Sequence, residues 1–195
     1  INALRLAKNI FDKNSLDIAL SMNNLAQNYT ATGDYKTAIS LQTEALDLFK
    51  IHLPTNHPDI ATSLNNLSIN HLYLGNYQES ISIQKQALKI REISLGPNHP
   101  DTATSLNNLA SGYLFLADYK NALELQLRSL EIKNIRFKED PIGFANVSNN
   151  IARTYFQLGQ FEKALNYEKN ALEITRNELG SSHPRTARSM SNIAH

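Results

Sequence analysis

Asn107-Asn108-Leu109-Ala110 is the middle one of five near-copies of a single tetrapeptide. The others are Asn23-Asn24-Leu25-Ala26, Asn65-Asn66-Leu67-Ser68, Asn149-Asn150-Ile151-Ala152 and Ser191-Asn192-Ile193-Ala194. Each copy begins 42 residues after the last, without a slip. A fixed period of about 20–50 residues marks a solenoid, in which each unit buries its apolar face only against its neighbours. The period predicts a single array across residues 1–195, with full units at 15–56, 57–98, 99–140 and 141–182. Residues 1–13 read as the end of a truncated unit and 183–195 as the start of another, as in a piece cut from a longer protein.

Within a unit the signals are helical. A helix is expected from about Leu16 to Ala31, ended by Gly33, since glycine readily takes the left-handed conformation after a helix. Asp34 then caps a second helix, roughly Tyr35 to His52. The plan recurs at Gly75-Asn76-Tyr77 and Gly159-Gln160-Phe161, whereas the third unit has Ala117-Asp118-Tyr119. Alanine at positive φ costs about 1 kcal/mol, so that turn is expected to be adjusted or strained.

Links between units read Asn56-His57-Pro58-Asp59, Asn98-His99-Pro100-Asp101 and Ser182-His183-Pro184-Arg185. Proline suits a first helical turn, where its missing N–H has no partner to lose, and the aspartates favour the positive end of the helix dipole. In the fourth unit Asp140-Pro141-Ile142-Gly143 shifts the proline by one, leaving Asp140 as the expected cap. Small residues recur at 38, 80, 122 and 164, and again at 45, 87, 129 and 171, where helices must approach closely. No period-2 run is long enough for a strand. The fold class is all-α: antiparallel helix pairs stacked into a superhelix.

Composition narrows the function. A net charge of +1 gives no electrostatic footprint for nucleic acid or an anionic membrane. The absence of cysteine rules out disulfides, zinc–thiolate sites and thiol nucleophiles, and suits a reducing cytoplasm. No run of 18 apolar residues occurs, and no signal-peptide pattern opens the sequence. His57, His99 and His183 recur one repeat apart, too far to share a metal ion, and are assigned to loop capping and packing. His71 reads as a packed core residue. Repeated positions supply amides rather than acids, bases or nucleophiles, so neither an enzyme nor a cofactor is expected.

The pattern Leu-Asn-Asn-Leu-Ala-x-x-Tyr-x-x-x-Gly-x-Tyr-x-x-Ala, followed seven residues later by Ala-Leu, resembles the tetratricopeptide repeat. Its period is longer than the usual ~34 residues. Together with Leu95-Gly96-Pro97-Asn98-His99-Pro100-Asp101-Thr102-Ala103 before Leu106-Asn107-Asn108-Leu109-Ala110, it is similar to the kinesin-light-chain-type subclass. The resemblance implies a right-handed superhelical solenoid whose first helices line a concave groove. It also implies a ladder of asparagines gripping an extended peptide, formed by Asn24, Asn66, Asn108, Asn150 and Asn192.

Asn23, Asn65, Asn107 and Asn149 form a second candidate row. A carboxamide carries a donor and an acceptor, so it can pair with a peptide C=O and N–H at once, or equally with neighbouring helices in the stack. Tyr73, Phe115 and Phe156 either dock an apolar peptide side chain or cover the edge of the next repeat. Arg153 and Arg188 are the clear cations of the predicted groove. The partner is read as a protein or peptide segment, with neither nucleic acid nor membrane involved. A scaffold or oligomerisation role without a specific peptide, or a sensor arm of a larger protein, stands as the alternative. Open apolar faces at residues 1–13 and 184–195 point to end-to-end self-association.

Overall fold

The computed structural model describes residues 15–135 and 138–193, and among these the regular structure is helical throughout. Among the described residues nine helices follow in order: α1 (Leu16–Ala31), α2 (Tyr35–His52), α3 (Pro58–Tyr73), α4 (Tyr77–Ser94), α5 (Pro100–Phe115), α6 (Tyr119–Ile135), α7 (Pro141–Gln157), α8 (Phe161–Leu179) and α9 (Pro184–Ile193). The bounds read from the first repeat match α1 and α2. The helix end expected at 1–13 lies outside the described residues.

The turns inside the helix pairs are alike. Gly33, Gly75 and Gly159 sit at φ 83°, 81° and 70°, and Ala117 takes the same place at φ 58°. The N–H of Ala117 still bonds Leu114 C=O at 3.1 Å, and that of Asp118 bonds Tyr113 C=O at 2.9 Å. Gly75 and Asn76 make the corresponding bonds to Leu72 and His71 at 3.1 and 2.9 Å. The alanine turn is therefore strained rather than rebuilt, because two backbone bonds hold it in the shape that glycine would adopt.

Several helix starts are capped by side chains, although Asn76 before α4 and Gln160 before α8 make no such bond. Asp34 accepts the N–H of Thr37 at 3.1 Å, and Asp140 that of Gly143 at 2.8 Å. The three linker histidines do the same through Nδ1: His57 accepts from Asp59 N–H, His99 from Asp101 N–H and His183 from Arg185 N–H, each at 3.2 Å. Asp140 also receives Lys133 Nζ at 2.6 Å. Burial raises the Asp140 pKa, but the Lys133 and Gly143 hydrogen bonds and the lysine charge outweigh it and leave the group below its ordinary value.

Two compact units divide the chain, Ile1–Gly112 and Tyr113–His195. In the first, Ile18, Met22, Leu46, Phe49, Ile60, Leu64 and Ile83 form one buried core. Each such side chain contributes about 1.5–3 kcal/mol when fully buried. Gly112 lets α5 approach α4 closely, since a Cβ there would stand 2.6 Å from Ile81 Cγ1. Arg91, 42 residues after Phe49, is likewise buried, and its Nη1 donates to Asp101 C=O at 3.0 Å and to Ser105 Oγ at 2.9 Å. Burial lowers its pKa, against the opposing pull of Asp101.

The second unit centres on Val147, Ile151, Tyr155 and Ala164, with Leu123, Leu127 and Tyr167 packed on them. Tyr155 and Tyr167 stack with centroids 5.6 Å apart, and burial, then Tyr155, raises the Tyr167 pKa.

Candidate functional site

In the first unit the asparagines of the first two pairs part company. Adjacent residues on a helix are turned about 100° apart, so one can face the core while the other does not. Asn23 and Asn65 are buried, at 8% and 7% exposure. Asn24 is exposed and Asn66 half-exposed, and neither carboxamide has a hydrogen-bond partner among the described residues. Asn65 Oδ1 instead accepts from Gln84 Nε2 at 3.0 Å and from Asn108 Nδ2 at 2.9 Å. Asn108, a member of the exposed row by sequence, thus commits its donor to the stack and keeps its oxygen. Asn107 is half-buried and bonded.

Absent from the candidates named by sequence is a row of polar residues buried on the second helices. Gln42, Gln84, Gln126 and Glu168 recur at 42 residues on α2, α4, α6 and α8, and all are buried. Their repetition inside otherwise polar second helices is the signal that would have found them. Gln42 Oε1 accepts from Asn70 Nδ2 at 2.9 Å, while Thr30 Oγ1 donates to Asn70 Oδ1 at 2.9 Å. Gln126 Oε1 accepts from Thr154 Oγ1 at 2.8 Å. Where glycine occupies the matching position, at Gly112, Gln84 takes its bond from Ser68 Oγ. Thr30 joins this network through its hydroxyl.

In the second unit Asn149 and Asn150 are both half-buried, and Asn149 Oδ1 is buried without a hydrogen-bond partner. Arg153 is exposed, with its guanidinium carbon 5.4 Å from the centre of the Phe115 ring. Phe156 meets Phe161 edge-on at 5.4 Å yet stays 52% exposed. Asn150, Arg153 and Phe156 stand three residues apart on α7, on neighbouring turns of one side. Tyr73, in the first unit, stacks on Tyr35 at 5.0 Å and is 59% exposed. The rings thus both cover a neighbour and remain open. The side chains of Asn192 and Arg188 lie outside the described residues.

His71 is half-buried, with Nδ1 3.4 Å from Asn76 Nδ2, and burial lowers its pKa against the pull of Glu79. Among the described residues no group of three metal-ligating side chains exists, and no helix is long and apolar enough to cross a membrane.

Helix pairs with left-handed C-terminal turns and small residues at fixed positions define an all-α tandem-repeat protein. The tetratricopeptide repeat family model matches residues 1–51, 55–134 and 143–195, and the chain belongs to that family. Among curated proteins none matches the chain. Solved structures resemble it at the level of fold. The nearly identical TPR-like repeats of a candidate kinesin light chain of Podosopora anserina share 24% identity at TM-score 0.76, covering 92% of this chain and 85% of that one. A point variant of those repeats gives 24% identity and TM-score 0.75, covering 89% and 82%. BtubC (BKLC) from P. vanneervenii gives 24% identity and TM-score 0.77, covering 98% and 76%. Repeats of this family mediate protein–protein interaction.

Proposed function

We propose that this chain is an interaction module that binds an extended peptide segment of a partner protein through outward asparagines of its first helices. The observation that carries the reading is the divergence of the first two pairs of the first unit. Asn23 and Asn65 go into the core, while Asn24 and Asn66 present carboxamides to solvent with no described partner. A carboxamide facing outward can pair with a peptide main chain whatever its sequence, leaving nearby side chains to select. Tyr73 serves that selection in the first unit, and Phe115, Arg153 and Phe156 in the second. The Asn65–Asn108 bond favours a second reading, a scaffold whose amides mainly hold the stack together.

Selection of a displayed random-peptide library separates the two. A motif enriched by the parent and lost by an equally folded Asn24→Ala/Asn66→Ala variant supports the peptide reading. No enrichment with either protein leaves the scaffold, and enrichment that survives in the variant shows that the peptide is held elsewhere than on these asparagines.

A further inference from the structure

We infer that α8 carries a second docking site, separate from the first-helix asparagines, which takes an uncharged peptide strand in extended conformation. A cleft of about 590 Å³ lies along this helix within Tyr113–His195, walled also by the end of α6 and the start of α7. That size falls within the range of small-ligand sites. Four carboxamides open on it, from Asn134, Asn166, Asn170 and Asn177. All four residues are exposed, and none has a hydrogen-bond partner among the described residues.

The fold does not ask for these amides. Asparagine inside a helix is less favourable than alanine by about 0.5 kcal/mol. It commonly compensates by bonding nearby backbone, which these side chains do not do. Matching positions in the other repeats hold Ser40, Glu44 and Ile51, then Ser82, Gln86 and Ile93, then Glu124, Arg128 and Ile135. Only the fourth unit has an amide at all three places, and there Asn177 interrupts a row of exposed isoleucines.

Spacing and charge identify the occupant. Asn166 and Asn177 are about 16 Å apart along the helix axis at 1.5 Å per residue. That is the length of about five residues of extended chain. Asn166 and Asn170 are separated by about 6 Å, near the ~6.6 Å at which an extended strand repeats its outward N–H and C=O groups. Among the described residues that line the cleft, Lys169 and Glu173 balance each other, which favours an uncharged ligand. Phe144 and Ile174 supply an apolar wall for one side chain.

The test is selection of a displayed library of random uncharged decapeptides on the parent, followed by fluorescence-anisotropy titration of the selected peptides. Binding is compared with an Asn166→Ser/Asn170→Ser/Asn177→Ser variant and with Asn24→Ala/Asn66→Ala. The expected result is a peptide whose affinity falls at least about tenfold in the serine variant and holds in the other, the sum of more than one lost hydrogen bond. A peptide lost only by Asn24→Ala/Asn66→Ala belongs to the first-helix site and does not support this one. Failure to select any peptide, or equal affinity in the serine variant, overturns the inference. So does a neutral oligosaccharide that occupies the cleft in place of peptide. If the serine variant loses helicity, side-chain amide resonances of Asn166 and Asn170 in the parent decide, and unmoved signals at saturating peptide overturn it.

Discussion

Asn65 Oδ1 accepts a hydrogen bond from Asn108 Nδ2, 43 residues further along, at 2.9 Å. The bond ties the buried first asparagine of one repeat to the half-buried second asparagine of the next. It also makes one oxygen the meeting point of α3, α4 and α5, because Gln84 Nε2 donates to the same atom.

Removing that acceptor leaves two amide donors without it, one of them buried. Asn65→Ala is expected to destabilise the protein by about 1–3 kcal/mol. Asn66→Ala, one residue on, should change stability by no more than about 0.5 kcal/mol. Urea denaturation of both variants checks the contrast. Equal losses would mean that both asparagines are structural.

Ala117 is held in the left-handed region by the bonds of its turn. Relieving the Cβ clash outweighs the added freedom of the unfolded chain, so Ala117→Gly is expected to stabilise by about 0.5–1 kcal/mol. The reverse change, Gly75→Ala, should destabilise by a similar amount. Thermal melts of the two variants read the opposite signs.

The Lys133–Asp140 contact makes stability depend on acid. Asp140 is held below its ordinary pKa of 3.8 in the folded chain. Its contribution is therefore present above that value and lost as the pH falls through the lower folded one. Lys133→Met removes the ion pair, so the variant should lose less stability than the parent when acidified from about pH 5 to below the ordinary aspartate range. Parallel stability curves would show that the pair contributes nothing.

His99 caps α5 through its Nδ1. His99→Ala should cost about 1 kcal/mol, while His99→Asn keeps an acceptor in reach of the Asp101 N–H and should cost less. Matching losses in denaturation would place the histidine's worth in packing instead.

Much of the fold was legible in the repeat itself. The period, the turn glycines and the Asp34 and Asp140 caps are local features, each decided within a few residues. They set α1 and α2 at their observed bounds and identified Ala117 as the odd turn. The direction of each asparagine was not legible, because Asn23 and Asn24 are the same residue type on adjacent positions. Asn65 is buried where Gln84 of the facing helix meets its oxygen, and a second helix's polar residue reads as solvated until its neighbours are known.

The sequence by itself thus determined the helices, their order and their family, since these follow from short-range patterning repeated at 42 residues. Tertiary structure alone decided which amides are used inside the stack and which are left to face outward. Burial and hydrogen bonding depend on residues tens of positions apart, and only packing brings Asn65, Gln84 and Asn108 to one oxygen.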